Sequence, residues 1–332
     1  MWQVIGQDKI LALLQRGLKE GNIAHAYLLL GPRHVGKRTL ALNLAQALNC
    51  DDAEPPCGQC RSCLRIAASK HADVISSGLD SRTEISIDDI RELQRIANLP
   101  PYEGKHKVFI IDDAEYMSTE ATNSLLKILE EPPPGIIWLL LVTKESRLLP
   151  TVISRCQRLE LKPIPLKQTR QILTERYKVA PDKAELLARL SHGCLGWALS
   201  AVANEELLQQ RHLRIVKLSS LLTANLEQRF AYAQELATRF SQERRSITDI
   251  METWLNWWHD LMLIKGDCKN DIDNIDYRMA LEKQAEVLTL SEIKDSLSNL
   301  RLINEEIFKN VNPRLAFEWL MLNLPQKEIV NG

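Results

Sequence analysis

The first half of the chain alternates short apolar runs with segments that carry apolar residues at helical spacing. This alternation is typical of a parallel β-sheet with helices on both faces. The apolar runs predict strands at residues 26–30, 72–76, 107–112, 136–142 and 157–161. The segments between them predict helices at residues 37–48, 87–98 and 119–129. Ser118 is placed to cap the third helix, and the prolines at 132–134 are placed to end it.

The second half has helical periodicity only. Strand signals end after Pro163 and Pro165, which predicts three domains: an α/β domain at 1–163, a small helical domain at 164–206 and an all-helical region at 207–332. An apolar stripe in the last region holds Ile250, Trp254, Trp257, Trp258 and Leu261. Tryptophans three and four residues apart share a helix face, so packing is preferred over stacking on nucleic-acid bases, which also needs interleaved basic residues.

Composition narrows the possible functions. The chain has 332 residues, of which 45% are hydrophobic, and 42 Lys and Arg against 43 Asp and Glu leave a net charge of −1. No overall field attracts nucleic acid or an anionic membrane, so any DNA contact must be local or shared with partner subunits. The longest apolar run, residues 136–142, is far shorter than the roughly 18 residues of a membrane helix. A cytoplasmic protein without a membrane segment is expected.

A glycine-rich loop, residues 31–37, follows the first predicted strand and precedes a helix; we call it the phosphate loop. In this setting backbone N–H groups surround phosphate oxygens between Gly31 and Gly36, and Lys37 neutralises their charge. The pattern requires Ser or Thr after the lysine to bind Mg²⁺, but Arg38 stands there and Thr39 follows one position later. An ordinary glycine-rich turn is the alternative interpretation.

Two acids end the predicted strand at 107–112. Asp112 is placed to hold Mg²⁺ through water, and Asp113 stands where many ATPases carry the glutamate that polarises the attacking water. The shorter arm of Asp113 would misplace that base by about one methylene, and errors near 1 Å can cost on the order of a hundredfold in rate. A solvated loop residue is the alternative for Asp113.

Four of the seven cysteines lie within residues 50–63, the cysteine loop. Cys50, Cys57, Cys60 and Cys63 have six, two and two residues between them, with Gly58 to relieve the turn. This spacing can close a tetrahedral zinc site, and four thiolates leave no open position, so the zinc would be structural. Free buried thiols are the alternative, although such a cluster would invite oxidation.

Several stretches together resemble bacterial clamp-loader subunits of the AAA+ class. They are residues 4–32, NSLLKILEEPPP at 123–134, LVTKESRLLPTVISRCQRLEL at 141–161 and NPRLAFEWLML at 312–322. The resemblance spans nearly the whole chain and is weakest over 205–310. It implies a P-loop domain with a zinc module, a helical lid and a helical collar that joins subunits in a ring.

The resemblance also implies roles for two residues beyond the loops. Arg155, in the Ser-Arg-Cys stretch 154–156, would act as an arginine finger on the γ-phosphate of ATP bound to the neighbouring subunit. A planar guanidinium suits that task because charge spreads over the transferring phosphoryl group. Thr143 would stand at the polar sensor position after the fourth strand. The alternative is that Arg155 caps the strand edge or pairs with an acid.

One lid position separates subunit types within this family. Hydrolysing gamma and tau subunits carry an arginine there that contacts their own nucleotide, whereas this chain has Gly196. Together with Arg38 and Asp113, this weakens three contacts to the chain's own ATP and leaves Arg155 to serve a neighbour. The asymmetry resembles the delta-prime type of subunit in the bacterial DNA polymerase III clamp loader.

The resemblance implies partners and a function. The partners would be gamma/tau and delta subunits in a hetero-oligomeric ring, with the sliding clamp and primer-template DNA reached through the complex. The chain itself would hydrolyse ATP weakly or not at all, so ATP and Mg²⁺ stay open as cofactors and Zn²⁺ is expected. The alternatives are an ATP-hydrolysing gamma/tau-type subunit and a zinc-bearing nucleotide-binding adaptor with no role at a clamp.

Overall fold

The structure is a computed structural model that describes residues 2–79, 82–307 and 311–326. The chain divides into two compact units, residues 1–165 with 193–197, and residues 166–192 with 198–332. The three-domain division stays a prediction, and residues 308–310 and 327–332 of its last domain lie outside the described residues.

The first unit contains a parallel sheet of five strands. They are β1 (Ala26–Leu30), β2 (Val74–Ser77), β3 (Lys107–Ile111), β4 (Ile136–Val142) and β5 (Gln157–Glu160). Their order is β2-β3-β4-β1-β5, and every neighbouring pair is parallel. Every residue of β3 and β4 is buried, as expected where helices cover both faces of a sheet. The predicted α/β class is confirmed.

Helices pack on the two faces of this sheet. They are α1 (Asp8–Glu20), α2 (Lys37–Leu48), α3 (Arg61–Ala67), α4 (Ile87–Ala97), α5 (Thr119–Glu130) and α6 (Pro150–Ile153). Alternate strand residues enter separate cores, so that Leu28 joins the core with α4 and α5, and Leu29 joins the core with α1 and α2. Ser118 caps α5 by accepting a hydrogen bond from Ala121 N, as predicted.

Within the described residues of the second unit, the regular elements are helices and no β-strand is present. Its helices are α7 (Leu166–Glu175), α8 (Pro181–Leu190), α10 (Glu206–Thr223), α11 (Leu226–Gln242), α12 (Arg244–Lys265), α13 (Arg278–Val287), α14 (Leu290–Glu306) and α15 (Pro313–Leu322). Helix α9 (Leu195–Ala203) begins in the first unit and continues into the second. No helix among the described residues combines the length and the apolar character that a membrane crossing requires.

The tryptophan stripe lies in the core of the second unit. Trp254, Trp257 and Trp258 on α12 are each no more than 2% exposed. Trp257 Nε1 donates to Gln284 Oε1 on α13 (2.8 Å), and Trp254 Nε1 donates to the carbonyl of Arg214 on α10 (3.2 Å). The packing interpretation of this stripe is confirmed, and these rings are not available to stack on bases.

Arg229 is a buried arginine on α11, and its guanidinium group lies against the ends of two other helices. All five of its N–H groups donate to backbone carbonyls, which belong to Leu221, Leu222, Met321, Leu324 and Pro325. The last carbonyls of a helix have no partner within it. Arg229 therefore satisfies carbonyls at the C-terminal ends of α10 and α15 together.

Candidate functional site

The predicted nucleotide residues meet at one edge of the sheet. The phosphate loop follows β1, Asp112 and Asp113 follow β3, and Thr143 follows β4. These three strands are neighbours, and Gly31 N donates to the carbonyl of Val142 across 3.2 Å. Because parallel strands end at the same edge, the site is assembled from segments far apart in sequence, at the place where open α/β sheets bind ligands.

Lys37 is bound to its own loop. It is only 9% exposed, and its Nζ donates to the carbonyls of Gly31 (2.6 Å) and Pro32 (2.9 Å). Burial lowers the pKa of Lys37, and the nearby carboxylates, Glu115 foremost, oppose that shift. The ammonium group that was predicted to neutralise phosphate is thus held by carbonyl oxygens of the loop.

Arg38 lies across from the predicted magnesium carboxylate. Its Nη1 is 3.4 Å from Asp112 Oδ2, and the Arg38 side chain is 52% exposed. Asp112 Oδ1 also accepts a hydrogen bond from Asp113 N at 3.1 Å. A guanidinium cation therefore faces the oxygen that a magnesium shell would use. Thr39, half-buried on α2, is the hydroxyl that would have to replace the missing ligand.

Asp113 is buried rather than solvated. It is 8% exposed and adopts a left-handed backbone conformation with φ 55°, which is uncommon for residues other than glycine. The alternative of a solvated loop residue is therefore wrong. The acid points into the protein beside Lys37, whose pKa its charge raises.

Glu115 belongs to this site, although no motif in the sequence indicated it. The residue is 8% exposed, and its Oε1 accepts a hydrogen bond from the backbone N–H of Thr143 at 2.8 Å. Its Oε2 is buried without a hydrogen-bond partner, and burial raises the pKa of Glu115. The sequence feature that could have indicated Glu115 is its position: it is an acidic residue two positions after Asp113, in the segment that follows the buried strand β3.

Gly196 lies directly against the phosphate loop. Its N–H donates to the carbonyl of His34 at 3.0 Å, and His34 itself has a left-handed backbone with φ 60°. A Cβ placed on Gly196 would lie 2.6 Å from that carbonyl oxygen, closer than side chains approach in proteins. Position 196, where the resemblance places the lid arginine of hydrolysing subunits, therefore accepts no side chain unless the loop moves.

The four sulfurs of the cysteine loop converge. Cys50 and Cys60 Sγ are 3.9 Å apart, and Cys57 and Cys63 Sγ are 4.0 Å apart. Every pair among the four lies within 4.8 Å. Tetrahedral zinc with bonds of about 2.3 Å places its sulfurs about 3.8 Å apart. The cluster therefore fits a four-thiolate zinc site.

Backbone groups around the cluster favour thiolates. The N–H groups of Gln59 (3.4 Å) and Cys60 (3.2 Å) donate to Cys57 Sγ, and they lower the pKa of Cys57 to about 6. Burial acts in the opposite direction on Cys63 and raises its pKa to about 12. Metal binding requires deprotonated sulfur, so binding at this set would release protons.

Arg155 lies apart from the phosphate loop, between α6 and β5. Its Nη2 is 2.6 Å from Glu130 Oε1 at the end of α5, and its Nη1 donates to the carbonyl of Thr151 at 2.8 Å. The Arg155 side chain is 33% exposed. The ion pair foreseen as an alternative is present, and an exposed pair of this kind contributes about 0–1 kcal/mol.

Comparison with known proteins points to one family. The family model "DNA polymerase III, delta subunit" matches residues 6–165. The tau subunit of DNA polymerase III from Escherichia coli is 39% identical over 204 residues, which cover 59% of this chain but 31% of that protein. The chain therefore spans about a third of the length of that relative.

Two further relatives align over nearly the whole chain. The delta-prime subunit of DNA polymerase III from Bacillus subtilis is 28% identical over 321 residues, with 96% of each chain covered. A gamma subunit-related protein from Thermotoga maritima, solved as a crystal structure, has a TM-score of 0.51 at 23% identity and covers 94% of this chain and 97% of its own. That likeness supports the fold. Together with the parallel sheet and the helical second unit, these matches support a bacterial DNA polymerase III clamp-loader subunit of the AAA+ class.

Proposed function

We propose that this chain is a delta-prime-type subunit of the replicative clamp loader, which hydrolyses ATP weakly or not at all and serves a neighbouring ATPase subunit. The observation that carries the proposal is the contact between Arg38 and Asp112 at 3.4 Å. A guanidinium cannot ligate Mg²⁺, and here it faces the carboxylate that would hold that ion. The chain's own nucleotide site therefore lacks the usual hydroxyl ligand for Mg²⁺, and its carboxylate ligand is paired with a cation.

Two further contacts support a nucleotide site that hydrolyses ATP weakly or not at all. Lys37 donates to carbonyls of its own loop, so phosphate would have to displace both hydrogen bonds. Gly196 leaves no room for a lid arginine against His34. In an active ATPase, groups at these positions contact the nucleotide. Here they contact the protein itself.

Arg155 is the residue proposed to act on the neighbour. Its present partner, Glu130, is 50% exposed, so the pair can be exchanged for phosphate oxygens at small cost. The guanidinium would then stabilise charge on the transferring phosphoryl group of ATP bound by a gamma/tau-type subunit. The helical second unit would contribute to the collar of a ring with gamma/tau and delta subunits, which places a sliding clamp on primed DNA.

Zinc in the cysteine loop would be structural. Cys50, Cys57, Cys60 and Cys63 would supply all four ligands, and the ion would cross-link the loop to the start of α3, where Cys63 lies. No position remains for substrate, so the proposal assigns no chemistry to the metal.

The test is ATP turnover by the reconstituted loader with Arg155→Ala. ATP hydrolysis at the neighbouring site is expected to slow by about 10³–10⁵-fold, as in well-studied arginine fingers. Total turnover should fall by the fraction that this site normally contributes, and the ring should still assemble. Arg158→Ala is the matched control, because Arg158 is a neighbouring surface arginine that pairs with Glu145 and Glu160. Unchanged turnover with Arg155→Ala would remove the finger from the proposal.

A second candidate, an ATP-hydrolysing gamma/tau-type subunit, is favoured by one observation: the 39% identity to the Escherichia coli tau subunit over 204 residues. It predicts turnover by the isolated chain that Lys37→Ala abolishes. The delta-prime proposal predicts no turnover by the isolated chain.

A further inference from the structure

A cluster of histidine and aspartate side chains lies in the second unit, separate from the loops described above. His259 and Asp260 are on α12, and Asp273 is in the loop between α12 and α13. Their nearest ligand atoms all lie within 4.8 Å of one another. His192, just past the end of α8, places its Nδ1 3.4 Å from Asp273 Oδ2. Two imidazoles and two carboxylates thus converge from three segments.

Asp260 holds the loop from the side of α12. The residue is fully buried, and it accepts hydrogen bonds from the backbone N–H of Asp273 (3.0 Å) and Asn274 (2.7 Å) and from the Asn274 side chain (2.7 Å). Two of these bonds reach Oδ2 and one reaches Oδ1. Oδ1 therefore retains a lone pair for a further partner.

Arg189 holds the same loop from the side of α8. Its Nη1 donates to the carbonyls of Asn270 (3.0 Å) and Ile272 (2.9 Å). The backbone around Asp273 is thus attached at both ends before any ligand binds. Such attachment is the support that a coordination site needs if its side chains are to stay in place.

We propose that His259, Asp260 and Asp273 bind a divalent transition-metal ion, with His192 orienting Asp273 or completing the shell. Imidazole nitrogen and carboxylate oxygen are a donor set that suits Zn²⁺. Bonds of about 2.0–2.2 Å place tetrahedral ligands about 3.4 Å apart. His259 is exposed, so its ring can turn toward the two carboxylates, and the ion reaches the site from solvent. This site is independent of the proposed function.

Such an ion would connect three segments of the second unit. It would join α12 to the following loop directly, and the end of α8 through His192. Because the unfolded chain has no assembled site, binding stabilises the folded unit by mass action. At 100 times the dissociation constant this amounts to a roughly hundredfold shift of the folding equilibrium.

The experiment uses the full chain with one equivalent of zinc already bound. Calorimetric titration with ZnCl₂ is expected to show a second equivalent, with a rise in the unfolding temperature. His259→Ala, an exposed change on a helix, should weaken the second event at least tenfold and leave the first equivalent bound. Asp273→Asn should do the same.

Asp267→Asn is the matched control. Asp267 is an exposed acid in the same loop, outside the cluster, and its φ of 59° is one that Asn also adopts. The second event should be unchanged in this variant. Titration with Co²⁺ separates the two sites, because thiolate ligands give sulfur-to-cobalt charge-transfer bands and His/Asp ligands do not. A single equivalent in the wild type, or a second event that survives His259→Ala, would overturn the proposal and leave an ion-pair network.

Discussion

Helix α2 has the phosphate loop at its beginning and the cysteine loop at its end, and the two loops treat their reactive groups in opposite ways. At the end of the phosphate loop Lys37 binds backbone carbonyls, and the next residue, Arg38, pairs with Asp112. In the cysteine loop four sulfurs converge on one another. The residue types of a motif show where a ligand could bind, whereas the partners of its side chains show which contacts a ligand would have to displace.

The largest expected effect is at the cysteine loop. The double change Cys57→Ser and Cys60→Ser removes two of four ligands, so bound zinc should fall to none at this site. The free energy of unfolding should fall by at least about 4 kcal/mol, since structural zinc in small domains contributes more than that. Metal analysis and thermal unfolding measure both effects.

Cys268→Ser is the control for that change, because Cys268 is an exposed cysteine of the second unit. It should retain zinc and its unfolding temperature. A zinc content in the double variant equal to that of the wild type would show that the sulfurs converge without binding the metal.

The second prediction concerns a change that would make the side chains beside the phosphate loop available to a ligand, as those of the cysteine loop are. Arg38→Ser removes the cation that faces Asp112 and places a hydroxyl after Lys37, where Mg²⁺ needs a ligand. Calorimetry on the isolated chain should show Mg²⁺-dependent ATP affinity at least tenfold higher, or about 1.4 kcal/mol.

Arg38→Ala separates two causes of that gain. It removes the ion pair without supplying a ligand, so it should gain less than Arg38→Ser. Equal affinities in the wild type and both variants would show that Arg38 does not limit the site.

The third prediction concerns Glu115 and has the smallest effect. Burial raises the pKa of Glu115 above its usual 4.5, so the folded state holds its proton to higher pH than the unfolded state. Relative to Glu115→Gln, the wild type should therefore lose stability as pH rises above 4.5, by at most about 1.4 kcal/mol per pH unit, and the difference should level off above the raised pKa.

Urea unfolding of both proteins across this pH range measures that difference. Gln keeps an oxygen to accept the hydrogen bond from Thr143 N, so any cost of its buried amide shifts the difference equally at every pH. A difference that grows in favour of the wild type with rising pH would contradict the burial argument.

Local pattern predicted much of the fold. The bounds of β1, β4 and α2 match their predicted ranges, because each is a continuous apolar or periodic segment with glycine or proline beside it. The cysteine cluster was predictable from spacing alone, since its ligands lie within one short loop.

The contact partners of the Arg38 and Glu115 side chains were not predictable in this way. Arg38 meets Asp112 only because β1 and β3 flank β4 in the sheet. Glu115 accepts a hydrogen bond from the backbone N–H of Thr143, which directly follows β4. Both facts depend on strand order, which a local pattern does not contain.

The buried guanidinium of Arg229 has a consequence for how the second unit opens. Its five N–H donors join the C-terminal ends of α10 and α15. If one helix end unfolds, some of these buried donors lose their acceptors, and the carbonyls of the other helix cannot replace them. The two ends should therefore open as one cooperative step, and hydrogen–deuterium exchange would find their amides protected to a similar degree. A residue with no part in any site thus sets the size of a folding unit.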